Sequence, residues 1–531
     1  MKILGLGGLD HNGSATLLDR GDIVSFLELE RVTRRKNQPI DSADALHALL
    51  DRLQVGVVDH VAIADLAWYR HHADWLAPCL DGRFPGVRRS VHSHHHAHLA
   101  CAFAASPFER ATTVSVDGKG DDWSAASGLA ARAEGPNASV VVPSAHSLGR
   151  LWWAASEYAG LPGHHAAGKT MALAAYGEPR YVDQLVRHVA MSVDGGFRFL
   201  PGAENEGLFR QVPRMVEWMA GVTGVAPAEM TPGDAHRDMA ASVQRVTEEV
   251  MERFVGEAVR RSGARALCLA GGVALNGLMN QRLIERGIVD DLFVPPCTDD
   301  RGLSLGAAAL ASWLAGAPVR SPEGGLSPYL GPEPAAWEGD DPVFGRRVAG
   351  DAALDEIATR LMRGEVLAWF EGRDEAGPRA LGHRSILASP VHPWMRDHLN
   401  ERVKRREAFR PFGCSILRGE VGAWFECDAD SPYMLRIVRA RPDRREWIPS
   451  ALHVDGTSRL HTVLALAAPR LHGLLELLAS RGHPPILLNT SLNGRDQPIA
   501  HTAHDAFEIA RDSSLDGVVI EGVLHARGTT S

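Results

Sequence analysis

Three stretches of this chain share one grammar: a short apolar or β-rich run that ends on glycine. They are "KILGLGG" at the start, "ATTVSVDGKGDD" from Ala111, and "RALCLAGGVALNG" from Arg265. Each run predicts a strand, and its glycines let the backbone turn sharply and come close to a phosphate or a metal-bound anion. After the third, "LNGLMNQRLIERG" has helical spacing and closes on Gly287. Ahead of it, Met239 to Arg261 forms a long amphipathic pattern that leads into that strand. Strands alternating with helices predict an α/β fold. There is no short-period repeat and no low-complexity tract.

The pattern breaks from Gly316 to Gly350, where "GAPVRSPEGGLSPYLGPEPAAWEGDDP" is dense in Pro and Gly. That stretch reads as a linker or long irregular connection. It implies a larger domain over residues 1–340 and a smaller one over 350–531. The smaller one also mixes strand ("GEVLAWFEG", "PPILLNTSLNG") with helix and strand ("TAHDAFEIARDSSLDGVVIEG"). A chain of 531 residues has ample length for two cores. Its net charge of −9 argues against a large nucleic-acid footprint, which needs a basic face. The six cysteines show no CxxC spacing and fit reduced thiols in a cytoplasm. "MKILGLGGLDHNG" reads as a strand and turn, not a signal peptide, and no apolar run reaches membrane-spanning length. A cytoplasmic, soluble protein is expected.

"VHSHHHAHLACAF" packs five histidines into the seven residues from His92 to His98. His94 and His98 stand four apart, so on a helix they share a face and can grip one metal ion. The alternative is a polar helix start with solvated histidines. Two carboxylates favour the metal: Asp117, at the tip of "TTVSVD", and Asp300, just before a glycine and an apolar helix. Two imidazoles and two carboxylates suit Fe²⁺, Mn²⁺ or Zn²⁺, and spacing does not choose among them. Lys169 in "GHHAAGKTMALAAYG" and Gly271, Gly272 and Asn276 in "GGVALNG" are weaker candidates for a nucleotide site. Each has an ordinary reading, as a surface lysine or a packing turn.

A basic cluster follows. "EGRDEAGPRALGHRS" supplies Arg373, Arg379 and Arg384, and "ERVKRREAFRPF" supplies Arg402, Lys404, Arg405, Arg406 and Arg410. Guanidinium forks suit bidentate phosphate recognition, and lysine adds a point charge. Arg459 in "DGTSRLH" and Asn489 and Ser491 in "NTSLNG" extend the set, which could hold a triphosphate.

Taken in order, these stretches resemble the antibiotic and nodulation O-carbamoyltransferase family. The resemblance runs nearly end to end, through "DHNGSATLL", "ELERVTRRK", "HHHAHLACAF", "VDGKGDD", "GKTMALAAYG", "GGVALN", "GPRALGHRSILASP", "KRREAFRPFG", "HVDGTSRLHTV" and "NTSLNGRDQPI". It implies an N-terminal domain of the actin–hexokinase superfamily, similar to tRNA threonylcarbamoyl transferases, and a C-terminal α/β YrdC-like domain. It implies that the second domain makes carbamoyl-adenylate from ATP, with Mg²⁺, and carbamoyl phosphate. The first, holding Fe²⁺, then passes the carbamoyl group to a hydroxyl of a small-molecule natural product. By this resemblance His94, His98, Asp117 and Asp300 match the metal ligands and His11 the general base. Arg379, Lys404, Arg410, Arg459, Asn489 and Ser491 match positions that bind triphosphate and carbamoyl phosphate. Asp299 competes with Asp300, but counting back from "GLSLGAA" aligns Asp300 with the family's Asp-x-Gly. "HAAGK" departs from the glutamate that often precedes the lysine motif. Neither nucleic acid nor membrane is an expected partner, and the oligomeric state, a homodimer included, stays open.

Three rivals are weaker. Threonylcarbamoyl transfer to tRNA fits poorly with the acidic balance. Hydrogenase-maturation carbamoyltransferases carry cysteine zinc fingers and an acylphosphatase domain ahead of the shared part. A bare actin-type ATPase would need no carbamoyl phosphate. No motif names the acceptor. Trp152 to His165 and Phe197 to Pro232, rich in aromatics and Met, are expected to shape its pocket, with ordinary core packing as the alternative.

Overall fold

The computed structural model describes residues 1–199, 211–337, 339, 341–428 and 430–527. The chain divides into two units, residues 1–24 with 39–326 and residues 25–38 with 327–531.

Unit 1 holds two sheets on one plan. In the first, β1 (Lys2–Gly7) is central in the order β3-β2-β1-β4-β5, with β2 (Ser14–Asp19), β3 (Asp22–Glu28), β4 (His60–Ala64) and β5 (Arg88–His92). β2 runs antiparallel to β1, while β4 and β5 run parallel to it. In the second, β6 (Arg110–Gly120) is central. β7 (Trp123–Ala131) pairs antiparallel on one side, and β8 (Gly135–Pro136) and β9 (Val140–Pro143) pair antiparallel with β7. A small hairpin, β10 (Val189–Met191) and β11 (Phe197–Phe199), stands apart. On the other side of β6, β12 (Ala266–Ala270) and then β13 (Asp291–Phe293) are parallel. An antiparallel meander on one flank and two parallel strands on the other thus occur twice. Two of the three glycine-turn stretches supply the central strands β1 and β6, and the third supplies β12.

Small residues let the layers approach. The helix Leu303–Leu314 packs on β1 and on the helix His94–Ala105. A Cβ at Gly5 would strike the Ser304 carbonyl, and one at Gly306 the Ala97 carbonyl. Beneath that contact, the buried Ser14 hydroxyl donates to the Arg301 carbonyl at 2.7 Å. The amphipathic pattern at Met239 falls inside a longer helix, Asp234–Ser262. The expected helix before Gly287 is Gly277–Glu285.

Unit 2 is built on one nine-stranded mixed sheet. Its order is Arg346–Val348, Val523–Ala526, Gly517–Ile520, Leu367–Phe370, Arg384–Ala388, Ile486–Ser491, Gly413–Leu417, Thr457–Val463, Arg436–Arg439. Apolar side chains alternate along these strands and feed two cores. One includes Phe370, Ile416, Leu460 and Leu488, the other Trp369, Leu387, Leu487 and Val519.

Two features depart from the simple two-block expectation. Residues 25–38 fold with unit 2, although they lie near the N-terminus. The expected linker is also partly built into that unit. Tyr329 stacks on His383 with ring centroids 3.5 Å apart and donates to the Leu381 carbonyl at 2.8 Å. The chain division falls at residue 326, earlier than the expected 340.

Candidate metal centre and anion site

His94 is the first residue of its helix and His98 the first of its second turn, so both rings leave the same face. Opposite them stand Asp117, near the tip of β6, and Asp300, in a short turn ahead of the helix Leu303–Leu314. Ligand atoms of these four all lie within 4.8 Å of one another. His98 Nε2 is 3.0 Å from Asp117 Oδ2 and 3.2 Å from Asp300 Oδ1. His94 Nε2 is 3.8 Å from Asp117 Oδ2 and 3.5 Å from Asp300 Oδ1. The two Nε2 atoms are 3.1 Å apart. Asp299 is turned away, its carboxylate taken by the Arg301 guanidinium at 2.5 Å. Geometry therefore puts Asp300, not Asp299, against the histidines.

The rest of the histidine run is accounted for by serines. His92 Nε2 lies 2.8 Å from Ser90 Oγ, His95 Nδ1 2.9 Å from Ser115 Oγ, and His96 Nδ1 2.8 Å from Ser93 Oγ. The electrostatics separate these rings from the facing pair. Burial lowers His95 well below the usual imidazole value. Burial also opposes a proton on His94, but Asp300, Asp117 and Asp65 reverse it and raise that ring well above its usual value. For His98 the bonds to Asp117 and Asp300 likewise overcome burial and raise it to about 9. Burial opposes a charge on Asp117, yet His94 and His98 hold its carboxyl well below the usual range.

Two carboxylates were not visible in the sequence. Asp65, just after β4, sits at φ +70 and places Oδ2 3.1 Å from His94 Nδ1. Asp121 accepts from the His94 backbone N–H at 2.9 Å. Together they fix the ring so that Nε2 points at the cluster, as outer partners of metal-bound histidines do. His11 follows the β1 turn, with Nε2 3.4 Å from Asp300 Oδ2 and its side chain 28% exposed. It also stands edge-on to His165 at 5.7 Å between centroids. Asp10, His11 and Asp300 form a second, overlapping group that could share an ion.

Gly271 and Gly272 lie at this site. The Gly272 N–H donates to Asp117 Oδ2 at 3.2 Å, and a Cβ on Gly271 (φ +91) would collide with the Val116 backbone. Asn276 is committed elsewhere: its Oδ1 accepts from Met279 N at 3.1 Å, capping the helix, and its Nδ2 donates to Gln244 at 2.8 Å. Lys169 lies half-buried on the short helix Ala167–Ala174. Of the expected acceptor segments, Trp152, Tyr158, Met215 and Met219 are core side chains, and residues 200–210 lie outside the described residues. The Trp152 indole donates to Thr247 at 3.0 Å.

The basic cluster of unit 2 sorts into two sets. Arg384 is fully buried and paired with Asp374 at 2.6 Å, and Arg373 donates to the Gly331 carbonyl at 2.5 Å, so both hold structure. Arg402 and Arg405 are also spent outside the site or exposed, Arg405 on the Asp512 carbonyl at 3.0 Å. The second set crowds together. Burial pushes the Arg459 guanidinium well below its usual value, and the charges of Arg379, Arg410 and Arg406 add to the fall. No acid faces it among the described residues. Arg406 is driven down to about 9, first by burial and then by Arg410. Arg459 and Asn489 both pair across Gly413, so they flank a strand position without a side chain. Asn489 Nδ2 donates to Ser415 at 2.9 Å, while its buried Oδ1 has no partner among the described residues. The Lys404 ammonium donates to Ser491 O at 2.8 Å, Asn493 O at 2.8 Å and Asn493 Oδ1 at 2.6 Å. It thus ties down the turn after Ser491. Glu407 stands 3.8 Å from Arg410 and offsets part of this charge. Like charges gathered in a low-dielectric place around Arg459 make this a candidate site for an anion.

Residues 84–309 match the family model described as carbamoyltransferase N-terminus, and residues 358–527 the one described as carbamoyltransferase C-terminus. An uncharacterised protein of Synechocystis is 30% identical over 99% of this chain and 96% of its own. Nodulation protein NolO of Bradyrhizobium diazoefficiens is 34% identical over 81% of this chain and 77% of its own. The 3'-hydroxymethylcephem-O-carbamoyltransferase of Amycolatopsis lactamdurans is 31% identical over 69% of this chain and 66% of its own. Overlap with solved structures is slight. The activator of the 2-hydroxyisocaproyl-CoA dehydratase from Clostridium difficile reaches a TM-score of 0.36 at 12% identity over 60% of this chain and 96% of its own, too low to assign a ligand. Two family models on successive parts of the chain, and relatives of 30% identity or more that cover two thirds or more of it, give one conclusion: the chain belongs to the carbamoyltransferase family.

Proposed function

We propose that this carbamoyltransferase is an ATP-dependent O-carbamoyltransferase acting on a hydroxyl of a small molecule, in two half-reactions. The first belongs to unit 2, read as a YrdC-like domain. There water takes the phosphate from carbamoyl phosphate, the carbamate oxygen attacks the α-phosphorus of ATP, and pyrophosphate leaves. Carbamoyl-adenylate remains. Arg459, Arg410 and Arg379 offset the charge on the phosphates, with Mg²⁺ accompanying ATP. Lys404 holds the Ser491 turn, and the unpartnered Asn489 Oδ1 offers an acceptor to an amide N–H such as that of the carbamoyl group.

The second half-reaction belongs to unit 1. His94, His98, Asp117 and Asp300 fit a divalent ion, iron among the candidates, because two nitrogen and two oxygen donors converge while Asp65 fixes the His94 ring. When bound, that ion supplies Lewis acidity toward the carbamoyl oxygen. His11, partly exposed and beside Asp300, takes the proton from the acceptor hydroxyl. The hydroxyl oxygen attacks the carbamoyl carbon, the bond to the AMP oxygen breaks, and AMP leaves. The name of the Amycolatopsis relative specifies O-carbamoyl transfer to a hydroxymethyl cephem, which supports a small hydroxylated natural product as acceptor class and a role in antibiotic tailoring.

The observation that carries the proposal is the convergence on one point of His94, His98, Asp117 and Asp300, with the His11 imidazole 3.4 Å from Asp300. The test separates the half-reactions. Arg459→Ala should abolish carbamoyl-phosphate-dependent exchange of labelled pyrophosphate into ATP. His11→Ala should leave that exchange standing and stop transfer to a hydroxyl acceptor. Loss of the exchange in His11→Ala would overturn this division of labour.

A further inference from the structure

Residues 25–38 end β3 and then lie within unit 2, where buried charge stitches them in. Arg31, 1% exposed, pairs through Nε with Glu28 Oε2 at 2.9 Å, and Glu28 is itself 2% exposed. A buried pair of this kind adds little net stability, because desolvating both charges offsets their attraction. What the pair does instead is grip one residue from both sides. The Gly377 N–H donates to Glu28 Oε1 at 2.9 Å, and Arg31 Nη2 donates to the Gly377 carbonyl at 3.1 Å and to the Glu375 carbonyl at 3.3 Å. Gly377 lies at φ +93, in the left-handed region that a side chain would strain.

Gly377 sits at the base of a closed loop. Glu375 Oε1 accepts the N–H groups of Leu381, His383 and Arg384 at 2.9, 2.8 and 2.9 Å, so residues 375–384 curl around one carboxylate. Arg379 lies in the middle of that loop, two residues past the gripped glycine. The same segment reaches a second loop. Arg34 donates to the Ile499 carbonyl at 2.6 Å and the Pro498 carbonyl at 3.1 Å, in the stretch that follows Ser491 and Asn493. Asn37 N–H closes the segment on itself by donating to Glu30 Oε2 at 2.7 Å. Lys36, exposed at its far end, is close enough for its charge to act on Lys404.

We propose that residues 25–38 are a positioning strap for the anion site, in which Glu28 and Arg31 set the loop that carries Arg379 and Arg34 sets the loop after Ser491. This rests on the reading of that site as the place where ATP and carbamoyl phosphate react. Glu28 and Arg31 are positioning residues and touch no substrate. Neither could be assigned from motifs, because "ELERVTRRK" stands apart in sequence from every basic stretch it supports.

The experiment is a double-mutant cycle on the full chain. ATP binding is followed by calorimetry and pyrophosphate exchange by label incorporation. Glu28→Gln and Arg31→Met should each weaken ATP roughly ten- to hundredfold and raise the KM for exchange more than they lower kcat, since misplacing a binding group by about 1 Å costs on that order. In an Arg379→Gln background the same substitutions should add less than about twofold, because they act through the loop that carries Arg379. Equal losses with and without Arg379 would show a general weakening of the fold and overturn the strap. Wild-type ATP affinity in Glu28→Gln would also overturn it, while leaving the anion site in place. Wild-type affinity in Arg379→Gln would overturn the anion site and the strap with it. Should Arg31→Met not fold, Arg34→Gln, at a half-buried position, takes its place with the same expectation for ATP affinity and is set against Ser491→Ala.

Discussion

At the scale of single residues, the candidate centre of unit 1 depends on more than its four candidate ligands. His94 and Asp117 are legible in the sequence because spacing and a strand tip advertise them. Asp65 is not, since its part depends on a left-handed backbone at φ +70 and on which ring lies 3.1 Å away. Asp65→Ala should leave the four ligands in place and weaken metal binding by roughly 10–100-fold, the usual cost of losing an outer partner of a ligating histidine. Asp65→Asn, which keeps an accepting oxygen, should recover part of it. Competition with a chelating dye would measure both, and unchanged affinity in Asp65→Ala would leave the Asp65 contact without a part in metal binding. His94→Ala should go further and yield folded protein without bound metal. Asn276 teaches the reverse lesson: a polar residue in a promising glycine turn is spent on capping a helix and on Gln244.

Elements were legible wherever a period was clean. The glycine-ended strands and the helices around Met239 and Leu278 are where their patterns put them. What periodicity lacks is depth. "LSLGAAALASWL" predicts an apolar helix, yet its small residues matter because β1 and the His94 helix approach from two sides. Gly306→Ala would push a methyl into the Ala97 carbonyl, immediately before His98 in that helix. The expected cost is about 1–3 kcal/mol of stability, as for other overpacked cores. Metal affinity should drop alongside, because His98 sits on one of the two elements being forced apart and Asp300 in the turn that leads into the other. A Gly306→Ala protein with wild-type melting and metal binding would show that the contact yields freely. The strand Thr457–Val463 carries a pH prediction. Burial lowers His461 from 6.5 to about 3, so the unfolded chain binds a proton that the folded ring refuses. Its contribution is therefore complete above pH 6.5 and is lost as pH falls from 6.5 toward 3, roughly 2 kcal/mol of it by pH 5. His461→Gln, which can still accept from Ser415, should show a shallower acid limb in urea melts between pH 7 and 5. An unchanged limb would mean that the ring titrates freely.

At the scale of the whole molecule, two proposed chemistries occupy one chain, and they differ in what they need. Unit 1 offers a candidate metal centre made from three separated segments, while unit 2 offers cations and amide groups without a comparable ligand cluster among the described residues. Sequence motifs suggest such a division, because each half carries its own ordered set. They could not give the exchange of residues 25–38 into unit 2, since no local pattern records which unit a short helix and turn will join. The division predicts a separable response to metal removal. Full-length protein stripped by a transition-metal chelator and returned to Mg²⁺ should still exchange pyrophosphate into ATP in the presence of carbamoyl phosphate. Transfer to a hydroxyl acceptor should cease, and adding back Fe²⁺, Mn²⁺ or Zn²⁺ in turn should restore it with whichever ion suits two nitrogen and two oxygen donors. The melting temperature should fall on stripping and recover with the same ion, since an ion bound only by folded protein stabilises it by mass action. His98→Ala should melt at the same temperature with and without the chelator, which ties the thermal shift to this centre. If stripping removed pyrophosphate exchange as well, the first half-reaction would need the centre in unit 1, and two independent sites would no longer describe the chain.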